Sequence, residues 1–295
     1  MAMIKKTKKT VIFLILILSI FILVGCSDGK KNEEQILKEK VIQELEYLDA
    51  KIINMLNRLN NINFENYTVI SEKISIGENQ DVSAKNAEEE DSESAASSDD
   101  KTEGSNDIIN VTKMEPDTIL ATDSSNIDWT TLKNEIELLN SSWSVIILDL
   151  YSLKLNSDEI LLFSATLDKC ILSIKDENSR DSLSNLSELY GFIPIYLAGL
   201  NEEQSRMNIK QTKAYIIKSY ALVEQDNWVE IMKNIQEADS VFKRVITDVE
   251  YVKTREYKIN QAYVLLKELQ QSINSKDSKL FYIKYKNVME SLNVL

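Results

Sequence analysis

The sequence predicts an all-α protein, either a multi-helix antiparallel bundle or an array of helical hairpins, in which an acidic disordered spacer separates two helical parts. Three observations lead to this prediction. Apolar residues recur at steps of three and four over most of the chain, as on the buried face of an amphipathic helix. Only 6 glycines and 2 prolines occur in 295 residues, so few positions interrupt a helix. No segment between 127 and 295 reads as a sheet.

Composition excludes several classes of chemistry. The chain has no histidine, which rules out histidine-based metal sites and catalysis by serine–histidine or cysteine–histidine pairs. No two of the 6 glycines lie close enough for a phosphate-binding loop or a dinucleotide fingerprint. The formal net charge is -13, and an acidic chain repels nucleic acid. We therefore expect no catalytic residues, no metal, no cofactor and no nucleic-acid partner, and a protein that is not an enzyme.

The first residues have the organisation of a secretion signal. Four lysines precede an apolar run over residues 11–24 that only Ser19 interrupts. A basic region followed by a short apolar core is typical of a signal peptide, and this run is shorter than the roughly 20 residues of a membrane-spanning helix. The run leads into a candidate processing site, Leu23-Val24-Gly25-Cys26.

This end of the chain resembles bacterial lipoprotein precursors, whose lipobox has the same four positions. The resemblance covers only residues 1–26. It implies that residues 1–25 are a signal peptide, that cleavage falls between Gly25 and Cys26, and that the Cys26 thiol carries a diacylglyceryl group. Lipid would then anchor the mature chain at the outer, extracytoplasmic face of the cytoplasmic membrane, with residues 26–35 as its tether. An uncleaved membrane anchor is the alternative.

Cysteine usage and charge agree with such an anchor. Besides Cys26 the chain has only Cys170, so a lipidated Cys26 leaves no pair for a disulfide. Cys170 falls on an apolar helical stripe, which favours a buried, unreactive thiol over a reactive one. The mature chain has 30 basic and 47 acidic side chains, a net charge of -17. Because an anionic leaflet repels it, the lipid rather than a basic patch is expected to hold it to the membrane.

Residues 36–76 are predicted to form a long amphipathic helix. Residues 64–76 carry β-branched side chains in a partly alternating pattern, so the sequence leaves open whether they continue the helix or are extended. The apolar positions before them advance in alternating steps of four and three, the heptad pattern of a helix that packs against another helix. They are Val41, Leu45, Leu48, Ile52, Met55, Leu59 and Ile62.

Residues 77–126 are predicted to be the acidic disordered spacer. They contain fourteen acidic residues and three lysines, a net charge of -11. Such a segment buries too little apolar surface to offset the entropy of ordering. The functional alternative to a plain spacer is weak binding of divalent cations. The segment has no calcium-selective loop, however, and we assign it no metal.

Residues 127–295 are predicted to form an all-helical domain. The heptad pattern of the first helical part returns at its start, in Leu132, Ile136, Leu139, Trp143, Ile146, Leu150 and Leu153. The reach of the spacer permits the two matched helices to pair in a parallel or an antiparallel manner.

The later helices are expected to begin at residues that commonly cap helix N-termini. The clearest stripe runs from Trp228 to Val252, and two more helices cover 259–273 and 281–295. Gly191 and Pro194 should break or kink their helix, since proline lacks the amide donor. The candidate caps are Ser157, Asn178 or Ser179, Asn201 with Gln204, and Asp226.

Polar turns recur at nearly constant spacing. Ile174, Val223 and Ile273 each precede an Asp-containing turn, at intervals of 49 and 50 residues. Helical hairpins at a fixed period form solenoids. The chain lacks the small-residue signature of tetratricopeptide packing, so a bundle of similar helices and a hairpin array both stay open.

Two further features are candidates for binding or chemistry. Residues 26–200 carry a net charge of -19 and residues 201–295 a net charge of +2. Seven tyrosines in the second part could line a groove for a peptide or an envelope polymer, although packing at helix boundaries explains them equally well. Three acidic pairs could serve a glycosidase, but positions at helix starts explain them more simply. The pairs are Asp158/Glu159, Asp176/Glu177 and Glu202/Glu203.

Two hypotheses from different classes remain. The first is a non-enzymatic lipoprotein whose helices form a scaffold or a protein-interaction module, engaging a protein partner or a second copy. The second is an all-helical ligand-binding lipoprotein that serves a transporter or an envelope polymer. In both, the chain contacts the membrane through lipid on Cys26, and the sequence identifies no binding residues.

Overall fold

The computed structural model describes residues 27–62, 119–120 and 126–295. Of these residues 83% are helical and none lies in a strand, so the predicted all-α fold is confirmed. The predicted signal peptide, Cys26, residues 64–76 and most of the predicted spacer 77–126 lie outside the described residues.

The described residues form ten α-helices joined mostly by short turns. They are α1 Ser27–Arg58, α2 Trp129–Ser152, α3 Ser157–Lys175, α4 Ser179–Tyr190, α5 Phe192–Gly199, α6 Gln204–Tyr220, α7 Trp228–Ile246, α8 Val249–Val252, α9 Glu256–Ser272 and α10 Ser278–Asn293. Consecutive helices contact each other in the pairs α2/α3, α3/α4, α6/α7 and α9/α10. The short turns between these partners make them antiparallel neighbours.

Helix α1 differs from the predicted helix 36–76 at both ends. It begins at Ser27, so residues 27–35 of the predicted tether are helical. It ends at Arg58, where Asn61 takes a left-handed conformation with φ of 51° and the Ile62 amide donates to the Asn57 carbonyl. This geometry terminates a helix by satisfying its last carbonyls, and asparagine tolerates it better than most residues.

Helix α1 lies at the centre of the described structure. It contacts α2, α4 and α5, and its side chains hydrogen bond to α6 and α10. Every predicted heptad position from Val41 to Ile62 is buried. Ile53 and Leu56, on other sides of the helix, are also completely buried. Five helices, α2, α4, α5, α6 and α10, therefore pack around α1, as in a bundle.

Helix α2 packs its predicted apolar seam against α1 and α3. Its positions from Leu132 to Leu150 are buried, and Leu153 is half-buried. The Trp143 ring stacks on Phe163 with centroids 3.9 Å apart, and its Nε1 donates to Ser164 Oγ at 2.8 Å. Tyr196 of α5 lies within 6.1 Å of the same indole. An aromatic cluster thus joins α2, α3 and α5.

Some of the predicted helix starts are wrong by one or more residues. Helix α3 is capped by Asn156 rather than Ser157, and α4 is capped by Asn178 as predicted. The predicted capping box at Asn201 and Gln204 does not form, because α6 starts after Glu203 without a side-chain cap. Asn201 instead has a φ of 54° and follows the end of α5. The α4–α5 break falls at Gly191, as predicted.

The predicted seam from Trp228 to Val252 is interrupted. Helix α7 ends at Ile246, and a second, short helix begins after Asp248, whose carboxylate accepts a hydrogen bond from the Tyr251 amide. Val249 is therefore 76% exposed, contrary to the prediction. The seam positions between Trp228 and Val249 are buried against the rest of the structure: Ile231, Ile235, Ala238, Phe242 and Val245.

The three recurring turns have similar conformations. Each contains one residue with positive φ, directly followed by the residue that caps the next helix. These pairs are Glu177–Asn178, Asp226–Asn227 and Lys276–Asp277. The caps of α7 and α10 are thus Asn227 and Asp277, and the predicted cap Asp226 lies one residue too early. The repeated turns explain why α3/α4, α6/α7 and α9/α10 form similar hairpins.

Candidate functional site

The outward faces of α2 and α3 expose large apolar side chains to solvent. Seven of the fifteen exposed large hydrophobic side chains among the described residues belong to these two helices, with exposed fractions from 41% to 66%. We call this set the α2–α3 apolar surface. It consists of Leu138, Val145, Leu148, Tyr151, Leu161, Leu162 and Leu172.

Helix α2 has apolar residues on two opposite faces. Leu138, Val145 and Leu148 follow heptad spacing like the buried seam, but lie about half a turn away from it. No charged residue occurs between Glu137 and Asp149. The outward face of α2 is thus free of charge over this interval.

The serines of this outward face have their hydroxyl groups satisfied within the helix. Ser141, Ser144 and Ser152 each donate to the carbonyl four residues earlier, at 3.0, 3.0 and 2.8 Å. A serine bonded in this way presents little unmet hydrogen-bonding demand to solvent. Scattered apolar residues on a surface are ordinary, whereas a contiguous cluster marks an interaction site.

A buried ionic cluster links α1 to α6. The carboxylate of Asp49, 4% exposed, is 2.9 Å from Lys210 Nζ and 3.9 Å from Lys213 Nζ. Tyr190 donates its hydroxyl proton to the same carboxylate. Lys210 also donates to Glu46 at 2.6 Å, and Lys213 donates to Asn293 Oδ1. The sequence-based prediction missed this cluster.

The pKa values of the cluster follow from burial and charge. Burial raises the pKa of Asp49, but the two lysines and the Tyr190 hydrogen bond outweigh it and hold that pKa below its usual value. Burial lowers the pKa of Lys210, and Asp49 with Glu46 reverses that effect. For Lys213 burial dominates, Lys210 adds to it and Asp49 opposes it, so its pKa falls to about 8.

Lys213 gives the free energy of unfolding a definite pH dependence. Its pKa is about 8 in the folded protein, against roughly 10.4 for an exposed lysine. Between these values the unfolded state binds more protons, so stability rises with pH. From about pH 7.5 to about pH 9.5 we expect the wild type to gain about 2 kcal/mol relative to Lys213→Met, measured by urea unfolding. A difference that does not change with pH would contradict a depressed Lys213 pKa.

Tyrosine hydroxyls of α6 and α10 form hydrogen bonds with the C-terminal end of α1. Tyr220 of α6 accepts a hydrogen bond from Asn60 Nδ2 at 2.7 Å and donates to the Leu56 carbonyl at 3.0 Å. Tyr285 of α10 donates to Asn57 Oδ1 at 3.2 Å and stacks on Tyr220 with centroids 4.3 Å apart. These contacts support the packing explanation for the C-terminal tyrosines over the proposed tyrosine groove. Only Tyr257 of the seven is largely exposed, at 80%.

A groove of about 510 Å³ lies between α4, α6 and the turn after α6. Its volume is within the range of small-molecule sites. Tyr215 is the one sequence-predicted tyrosine that lines it, and Glu188 and Lys218 bring one charge of each sign. The other residues are small, amide or hydroxyl side chains together with Leu222.

The structure also shows where Cys170 and the acidic pairs named from the sequence lie. Cys170 is a completely buried free cysteine, and burial raises the pKa of its thiol. Asp158 and Glu159 lie in the first turn of α3, as predicted, and Glu203 is at the N-cap position of α6. Asp176 instead caps the C-terminus of α3, so the prediction that the Asp176/Glu177 pair lies at a helix start is wrong.

The part of the chain that the structure describes contains no group of histidine, cysteine, aspartate and glutamate residues able to hold a metal ion. None of its described helices combines the length and hydropathy needed to cross a membrane.

Fold and surfaces together define, among the described residues, a multi-helix all-α protein with a largely buried central helix and an uncharged apolar face on α2. Comparison with known protein families, curated proteins and solved structures finds no match to the chain.

Proposed function

We propose that the chain is a non-enzymatic lipoprotein, anchored at the outer face of the cytoplasmic membrane, whose helices form a protein-interaction module. The α2–α3 apolar surface is its interaction site. The observation that carries the proposal is the cluster of exposed large apolar residues on α2 and α3, next to an interval without charge. Contiguous apolar patches of this kind favour protein association because burying them removes apolar area from water.

The anchor part of the proposal rests on the Leu23-Val24-Gly25-Cys26 motif. Expression of Cys26→Ser in a bacterial host should release the chain from the membrane fraction and abolish the mass added by lipid, because serine has no thiol to modify. Membrane fractionation and mass spectrometry measure both effects. Unchanged retention together with an unchanged mature mass would contradict lipidation at Cys26.

The interaction part can be tested on the membrane-bound chain. A photo-crosslinking amino acid placed at Leu148, which is 66% exposed, should capture a protein at this surface. The same probe at Val229, 84% exposed on α7, serves as the matched control and should capture little. Equal yields from the two positions would contradict an interaction site on α2.

The groove between α4 and α6 favours a second candidate, a ligand-binding lipoprotein. Tyr215 offers a ring face and Gln211 an amide to a polar ligand such as a saccharide, and the groove has no charge excess. Native mass spectrometry of the protein purified from its envelope should then detect a bound small molecule, which Ala214→Trp would displace by filling the groove. Mass spectra that show only the polypeptide would argue against this candidate.

A further inference from the structure

We propose, building on the proposed interaction role, that the α2–α3 apolar surface binds the same surface of a second copy of this chain, with the two α2 helices antiparallel. The partner is thus another molecule of the same protein, related by a two-fold axis. Such isologous contacts use one patch twice and close on themselves.

The outward residues of α2 form a second heptad seam, separate from the buried one. They advance by alternating steps of four and three, which is the spacing of an antiparallel helix pair. All six are exposed: Asn134, Leu138, Ser141, Val145, Leu148 and Ser152.

This seam is symmetric about position 143, which lies midway between Asn134 and Ser152. A two-fold axis beside that position places Leu138 opposite Leu148 of the second copy, and Ser141 opposite Val145. The Leu138–Leu148 layers are then apolar, and the Ser141–Val145 layers pair a small residue with a larger one. The polar residues Asn134 and Ser152 lie at the two ends of the contact. One sequence thus supplies both halves of the contact.

Charge makes this face the place where two copies can meet. The mature chain has a net charge of -17, so two copies repel each other over most of their surface. The interval between Glu137 and Asp149 is free of charge, and two copies meet there with the least repulsion. Asp149, which approaches Glu137 of the second copy in this register, already pairs with Lys40 at 2.8 Å. Between Glu137 and Asp149 the face offers no charge to an oppositely charged partner.

Small side chains at the seam permit the close approach that such a pair requires. Ser141 and Ser152 have their hydroxyls bonded to their own helix, so contact with a second copy leaves no hydroxyl unsatisfied. The exposed leucines Leu161 and Leu172 belong to α3, which packs against α2. Contact between two copies along this seam would therefore cover Leu138, Val145 and Leu148 of each copy.

The oligomeric state of the lipid-free chain 27–295, which retains every described residue, tests the proposal. Sedimentation at micromolar concentration should show a dimer for the wild type and for Val229→Lys, the control on α7. Leu148→Lys should weaken the dimer about 100-fold or more, because each dimer contains this position twice. Folding of each variant is checked by circular dichroism. A monomeric wild type, or a Leu148→Lys dimer of unchanged affinity, overturns the proposal.

The register can be tested separately by disulfide formation. A mixture of Ser141→Cys and Val145→Cys chains should oxidise to a linked pair faster than either variant alone, because the two positions face each other only between different copies. The native Cys170 is completely buried and does not compete. Equal rates in the mixture and in the separate variants would overturn the antiparallel register.

Salt provides a readout that separates this contact from an ionic one. Raising the salt concentration from about 0.05 M to about 0.5 M screens the repulsion between two anionic chains, so the dimer should become tighter. Weakening by salt would contradict an uncharged interface. If the purified chain is monomeric while crosslinking at Leu148 still captures a different protein on the membrane, the self-association fails and the proposed interaction function stands.

Discussion

Replacing Asp49 with alanine is expected to lower the free energy of unfolding by about 3–5 kcal/mol, the cost typical of removing one partner from a buried ion pair. Lys210 and Lys213 would be left together in the core with fewer negative charges, and the Tyr190 hydroxyl would lose its acceptor. Since most domains are stable by only about 5–15 kcal/mol, the midpoint of urea unfolding should fall markedly.

A control at another aspartate separates this effect from a general response to losing a carboxylate. Asp168 is exposed in the middle of α3, and Asp168→Ala should change stability little. The double variant Asp49→Leu with Lys210→Met should recover part of the loss, because removing opposite charges together leaves less uncompensated charge in the core. If Asp49→Ala unfolds at the same urea concentration as Asp168→Ala, the ionic cluster does not stabilise the fold.

Phe242→Ala should cost about 3–5 kcal/mol, since it deletes a completely buried aromatic ring from the core. The ring lies against α9, where Tyr263 stacks on it with centroids 6.3 Å apart. Lys243 is the adjacent, exposed residue, and Lys243→Ala should change the thermal midpoint only slightly. Because α1 contributes to the same core, both variants are compared in the chain 27–295. Equal thermal midpoints would show that the α7 seam is not buried in solution.

The two heptad seams of α1 and α2 were predictable because a period near 3.5 directly reports which side of a helix is covered. The central position of α1, however, was not predictable from the sequence. A helix covered on several sides carries buried polar residues such as Asp49 and Asn57, and in a sequence these look like a solvated face. Lys210 and Lys213 likewise resemble surface lysines until a carboxylate 161 residues away from Lys210 is placed beside them.

Helix boundaries were less predictable because several residues in each turn can cap a helix. Asn156 and Ser157 are both good caps, and local sequence does not decide between them. The break between α7 and α8 depends on Asp248, whose carboxylate also accepts from Ser205 Oγ at 2.6 Å. That contact comes from a helix elsewhere in the chain. Asp248 is a good local cap, but the apolar periodicity continues past it, so the sequence alone does not show that the helix ends there.

The sequence predicts only part of the candidate interaction surface. The uncharged interval between Glu137 and Asp149 can be read directly. The buried face of α2 is the predicted seam, because it has more and larger apolar residues than the opposite face. The sequence alone does not show that Leu138, Val145 and Leu148 on the opposite face stay uncovered by other helices, and the folded arrangement establishes this.

The central place of α1 has a consequence for biosynthesis. Its residues are synthesised well before their partners on α6 and α10; Tyr285 follows its partner Asn57 by 228 residues. Contacts over such separations form slowly, because a long loop must close before they contribute. Until α6 and α10 have been made, the side of α1 that they cover stays open, and exposed apolar surface of this kind favours aggregation. We therefore expect the chain to refold slowly and to aggregate at high protein concentration before the contacts of α1 have formed.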